Sequence, residues 1–142
     1  MKLSARNILS GVVASVKKGA VNAEVILKTT GGVSISAIIT NASVDNLALK
    51  EGKEAFAIIK ASSIILGTDL HDAKVSARNI ICGTVTKVVE GPVSAEVGVD
   101  IGGGTILTAV ITEESARKLG FKAGGHACAM FKAPSVILGI KE

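Results

Sequence analysis

A chain of 142 residues, 48% apolar and 20% charged, can bury a core as one ordinary domain or two very small ones. Its formal net charge of +4 rests on 13 Lys and 3 Arg, which suits an anionic ligand but falls short of the charge block of a nucleic-acid tail. Three Phe with no Trp or Tyr offer little platform for stacking bases, no apolar run approaches the ~20 residues of a membrane span, and Met1–Gly11 has no signal-peptide core. The expectation is a cytoplasmic protein with neither nucleic-acid nor membrane partners.

In chain order, Asn7–Val16 and Ala23–Thr29 read as strands, joined by a hairpin at Gly19–Asn22. Gly31-Gly32 supplies the next turn, and Ser34–Ile39 alternates as a half-buried strand should. Thr40 is placed to cap a short helix over Asn41–Leu47, Gly52 closes a turn, and Glu54–Lys60 and Ile64–Gly67 are the last strands. The order then starts again. Ser4-Ala5-Arg6-Asn7-Ile8 returns as Ser76-Ala77-Arg78-Asn79-Ile80, and at that offset of 72 about 30 of the 64 positions from Ser4 to Gly67 are identical without a gap. Thr112 is the equivalent cap, followed by Glu113-Glu114 in a first helical turn. Gly102-Gly103-Gly104 is a hairpin tip, since no Gly-Lys-Ser/Thr follows to make a phosphate loop. The predicted organisation is copy one over residues 1–68, a polar linker over 69–74 and copy two over 75–142. The fold class is all-β: two tandem OB-like five-stranded barrels, each with a short helix between its third and fourth strands.

Three repeated elements could hold an anion. Arginine is scarce, yet Arg6 and Arg78 occupy equivalent places, where a guanidinium fork beside the Ser4 or Ser76 hydroxyl suits a tetrahedral oxyanion. The same arginines could instead close a strand end or pair with Glu24 or Glu96. Thr40 with Ser43, and Thr112 with Ser115, bring hydroxyls to a helix start, where an ordinary cap is the plainer reading. Lys60-Ala61 and Lys132-Ala133 end an apolar strand with a point charge that could equally be solvated. Cys82 and Cys128 form no Cys-x-x-Cys motif or Cys/His ligand cluster and read as small reduced core residues. His71 in the linker and His126, whose counterpart is Glu54, do not repeat and read as structural or exposed. No nucleophile with a base stands out, so no enzyme, no cofactor and no direct cation site are expected.

At these residues the sequence resembles the molbindins, the Mop family of small molybdate-binding proteins. Ser-Ala-Arg-Asn, Gly-Ala-Val-Asn-Ala-Glu-Val and the closing Lys-Ala-x-x-Val/Ile-Ile-Leu-Gly carry the likeness, in order and in both copies. The resemblance implies a homotrimer of two-module chains that binds molybdate or tungstate at sites between modules, for storage, buffering or homeostasis. It implies a main site combining the Ser-Ala-Arg motif of one module with the Thr/Ser and Lys-Ala segments of its neighbour. Here those are Ser4, Ala5, Arg6, Thr40, Ser43, Lys60 and Ala61, with Ser76, Ala77, Arg78, Thr112, Ser115, Lys132 and Ala133. It further implies an axial oxyanion site at the hairpins Gly19, Ala20, Val21, Asn22 and Gly91, Val93, Ser94. Pro92 stands where copy one has Ala20 and removes one backbone donor there. The competing expectations are a nucleic-acid-binding OB protein and a purely structural oligomer.

Overall fold

The computed structural model describes residues 1–142 apart from the side chain of His71, so the expectation for that side chain falls outside the described residues. Copy one runs β1 (Asn7–Lys18), β2 (Asn22–Thr29), β3 (Ser34–Thr40), α1 (Asn41–Asn46), β4 (Glu54–Ile59) and β5 (Ile65–Gly67). Copy two repeats this as β6 (Asn79–Glu90), β7 (Ser94–Asp100), β8 (Ile106–Thr112), α2 (Glu113–Leu119), β9 (His126–Phe131) and β10 (Ile137–Gly139). Each expected strand and helix is present, within a few residues of its expected ends. Both predicted caps form: Thr40 and Thr112 take extended backbone, and each side-chain oxygen accepts from the N–H of Ser43 or Ser115. A 3-10 turn separates the last two strands of each copy, Ala61–Ser63 and Ala133–Ser135.

The strands form two five-stranded antiparallel sheets, ordered β10-β4-β1-β2-β3 and β5-β9-β6-β7-β8. β10 also lies beside β3, and β5 beside β8, which rolls each sheet into an OB-like barrel. Neither barrel is built from one copy alone. The fifth strand is exchanged: Ile65–Gly67 pairs with Met130–Cys128 of copy two, and Ile137–Gly139 pairs with Ile58–Phe56 of copy one. Sequence could not reveal the exchange, because Ile-Leu-Gly is identical in both copies and fits either barrel equally.

The exchange merges the interiors. Ile64 and Leu66, and their equivalents Val136 and Leu138, are buried in one core with Val13, Val25, Leu27, Ile35, Val97 and Val99. The alternation on β2 and β3 places one face inward, as period-two patterning requires. The hairpin tips of the two copies meet: a Cβ on Gly103 would lie 2.4 Å from the Gly31 carbonyl oxygen, so this approach needs glycine at the tip.

One expectation is corrected. Cys82 and Cys128 are direct partners in the β6–β9 register and are joined by a disulfide, Cα to Cα 3.8 Å. Cys128 is buried and Cys82 is exposed, so they are not a pair of reduced core thiols. They lie 46 residues apart in sequence, and only the strand pairing brings them together.

Candidate functional site

The repeated asparagines and arginines make their contacts from one copy to the other. Asn7, 1% exposed, is the pin. Its Nδ2 donates to the carbonyls of Ile59 (3.1 Å) and Thr108 (2.8 Å), and its Oδ1 accepts from the Thr108 N–H (2.7 Å). The end of β1 is thereby tied both to the end of β4 in its own copy and to β8 of the other. Asn79 repeats the contact to the other copy on the opposite side, donating to the Ser36 carbonyl and accepting from its N–H, both at 2.8 Å. A buried amide can be tolerated here because its donors and its acceptor are matched.

Ser4-Ala5-Arg6 and Lys60-Ala61 flank this pin, since Asn7 and Ile59 are register partners. The 3-10 turn that begins at Ala61 packs against β8, and its twin beginning at Ala133 packs against β3. Ala61 and Ala133 are buried, which suits a small residue at the crossover, whereas Lys60 and Lys132 are exposed. The arginines reach across. Arg6 makes a two-pronged ion pair with Glu96 of copy two, Nη1 to Oε2 at 2.9 Å and Nη2 to Oε1, and Arg78 pairs with Glu24 of copy one. The carboxylate pairing left open by the sequence is therefore real, but each arginine takes the glutamate of the opposite copy. Arg6 holds the Glu96 carboxyl below its ordinary range, chiefly through that hydrogen bond; partial desolvation opposes the shift, and the charges of Arg6 and Lys87 add to it. Among the described residues, Lys60 and Lys132 have no ion-pair partner.

Contacts along β3 run from Asn79 at Ser36 to Arg78 at Glu24, the register partner of Ile38, and so toward Thr40. The Ser-Ala-Arg motif of one copy is thereby tied to the strand pair of the other, and the Lys-Ala segment lies beside that motif in its own copy. The cap hydroxyls are engaged locally: Thr40 Oγ1 donates to Ser43 Oγ at 2.9 Å, and Thr112 Oγ1 to Ser115 Oγ at 2.8 Å.

The family model described as TOBE domain matches residues 3–66 and 75–138. The chain belongs to the TOBE domain family. Its two TOBE copies are of the Mop type. It superimposes with TM-score 0.96 on a solved structure described as the cytoplasmic molybdate-binding protein ModG in a form with molybdate bound, at 45% identity over 99% of this chain and 100% of that one. It is 43% identical over 140 residues to the molybdenum transport protein ModE of Azotobacter vinelandii, and 44% identical over 140 residues to the molybdenum-pterin-binding protein MopA of Rhodobacter capsulatus. Both alignments cover 99% of this chain; they cover 52% and 53% of those proteins, so the chain spans about half the length of these curated relatives.

In both TOBE copies the expected hairpins at Gly19–Asn22 and Gly91–Ser94 form and lean on a helix start. Gly19 N–H donates to the Asn22 carbonyl and Asn41 N–H to that of Val21; Gly91 to Ser94 and Glu113 to Val93 repeat the pattern. Val21 and Val93 stand out at 70% and 79% exposure. What sequence reasoning missed entirely lies on copy two: Cys82, Cys128 and His126 place their ligand atoms within 4.8 Å of one another. The expectation that no Cys/His cluster exists is thereby corrected. The available signal was His126 and Cys128 two residues apart on a strand, hence on one face.

Proposed function

We propose that this chain binds molybdate, and tungstate about equally well, as a cytoplasmic protein that stores or buffers the oxyanion and catalyses no reaction on it. The observation that carries this is the match along the full chain to a structure with molybdate bound. We assign the main sites to the two crossover clusters: Ser4, Ala5, Arg6, Lys60 and Ala61 with Thr112 and Ser115, and Ser76, Ala77, Arg78, Lys132 and Ala133 with Thr40 and Ser43. Two features support the assignment. Among the described residues, Lys60 and Lys132 have no partner carboxylate. Each guanidinium has five N–H donors, so an ion pair that uses two leaves others for an oxygen ligand and holds the group in place meanwhile. A cluster of neutral donors with one or two cations binds a dianion without burying excess charge. Molybdate and tungstate, nearly equal in size, fill it alike, whereas the smaller sulfate leaves donors unused.

The assembly we propose is a homotrimer. Equivalent apolar residues on the two copies remain uncovered in the single chain: Ile8 and Ile80, Ile65 and Ile137, Val21 and Val93. Such paired patches are what a symmetric oligomer buries. The hairpins at Gly19–Asn22 and Gly91–Ser94 would supply the axial sites, with Pro92 weakening the second.

Equilibrium dialysis of the chain against molybdate, tungstate and sulfate, with metal analysis of the protein fraction, tests the reading. Molybdate and tungstate are expected to compete for the same sites while sulfate barely displaces either. Comparable retention of sulfate would end the claim of selectivity, and no retained molybdate would end the proposal. Light scattering should give three times the 14.3 kDa chain mass; a monomer would remove the oligomer from the model of the site.

A further inference from the structure

Copy two carries a side-chain cluster that copy one lacks. Cys82 and Cys128 oppose each other across β6 and β9, and His126 lies on the same face of β9 with its Nε2 3.6 Å from the Cys128 sulfur. Both sulfurs and the imidazole nitrogen fall within 4.8 Å of one another, with Cys82 and His126 open to solvent and Cys128 buried beneath them. Next along the ladder, Thr84 sits between Asp100 and His126 as the register partner of both. At the equivalent places copy one has Ser10, Phe56 and Glu54, and Lys28 in place of Asp100. The shared architecture of the repeat thus requires none of the three ligand residues. With Asp100 for Lys28 and neutral His126 for Glu54, the local charge goes from balanced to negative, the sense that favours a cation.

We propose that, once the disulfide is reduced, Cys82, Cys128 and His126 form a binding site for a thiophilic d10 cation, Zn2+ or Cu+, and that closing the disulfide expels it. Two thiolates and one imidazole are the donor set such ions prefer, and three protein ligands leave a position open to water. The steps balance. A dithiol reductant gives two electrons and two protons to the Cys82–Cys128 bond and itself closes to a disulfide. The cation then displaces both thiol protons, and neutral His126 adds the Nε2 lone pair. For the reverse step a small-molecule disulfide takes the two electrons from the thiolates and leaves as two thiolates, the Cys82–Cys128 bond closes, and the cation is released with its sulfur ligands gone. None of the three ligands is among the residues assigned to the oxyanion clusters; Cys82 and Cys128 lie three residues along β6 and β9 from Asn79 and Phe131.

The test uses the tag-free full-length chain, reduced anaerobically with a phosphine and shown to have both thiols free. Co2+ is added as a spectroscopic probe, then Zn2+ as competitor. The reduced chain is expected to take up about one Co2+ with a thiolate-to-cobalt charge-transfer band that Zn2+ abolishes, and the oxidised chain none. Cys82→Ser, which restores the residue copy one carries there, should lose the band while keeping wild-type circular dichroism and molybdate stoichiometry. His126→Ala should keep sulfur-to-cobalt absorption at reduced affinity. No band in the reduced wild type, or the same uptake by Cys82→Ser, overturns the site.

Discussion

At the scale of single residues, the two buried asparagines join the copies through matched polar contacts. Asn7 matches three backbone groups from two strands, Asn79 matches two, and water cannot replace either amide in so closed a place. Asn7→Ala is expected to cost about 2–4 kcal/mol in chemical denaturation, by stranding buried backbone groups. An exposed control such as Ser4→Ala should stay within about 0.5 kcal/mol. The Arg6–Glu96 pair is weaker, because both ends reach solvent. Its signature is in pH. A carboxyl held below its usual value stabilises the fold fully above that value, 4.5, and loses the contribution as pH falls through the lowered one. The melting temperature of the wild type should therefore exceed that of Glu96→Gln by a constant margin near neutrality, and the margin should close on acidification below pH 4.5. A margin that widened in acid would contradict the pairing. For anion binding, Lys60→Ala should weaken molybdate by roughly 1.5–3 kcal/mol if it removes one charge-assisted hydrogen bond, with little change in melting. Arg6→Ala should lower affinity and melting temperature together. Unchanged molybdate affinity in both variants would take this cluster out of the site.

At the scale of elements, the sequence was most legible where local chemistry is self-sufficient. Thr40 and Thr112 had only to accept from an N–H three residues on, and the helix starts followed. Turn glycines and period-two alternation located the strands. What local reasoning could not see was which barrel a strand joins and which side chains a register aligns. Ile65–Gly67 carries the same residues as Ile137–Gly139, and Cys82 meets Cys128 only because Asn79 is in register with Phe131. Of the candidate site, the motifs named Arg6 and Lys60, while only the fold pairs Arg6 with Glu96 of the other copy and sets Asn7 opposite Ile59, next to Lys60 in the chain. The strand exchange makes its own prediction. Leu138 belongs to the sequence of copy two but is buried in the barrel of copy one. Leu138→Ala should cost about 2–5 kcal/mol, and hydrogen exchange should quicken first in β4 of copy one rather than in β9. Faster exchange in β9 alone would mean that the strands are not exchanged in solution.

At the scale of the whole molecule, the duplication yields one folding unit rather than two. The core is continuous, the hairpin tips touch at Gly31 and Gly103, and each barrel lacks a strand without its twin. A fragment of residues 1–74 should accordingly fold only by pairing with another copy, as a dimer at micromolar concentration that melts on dilution. A folded monomer by sedimentation would refute this. The linker's part is to supply local concentration, making an encounter between halves intramolecular and independent of how much protein is present.

From the exchange it also follows that the peptide bonds of the segment from Thr68 to Lys74 matter for the making of the molecule and not for its keeping. Each half grips the other by a strand, an asparagine pin and a guanidinium–carboxylate clasp, so the two are interlocked like clasped hands. A protease nick in that segment should leave a particle of unaltered size that still holds its oxyanion and comes apart only in denaturant. After denaturation the nicked halves should find each other again with second-order kinetics, whereas the intact chain refolds at a rate independent of concentration.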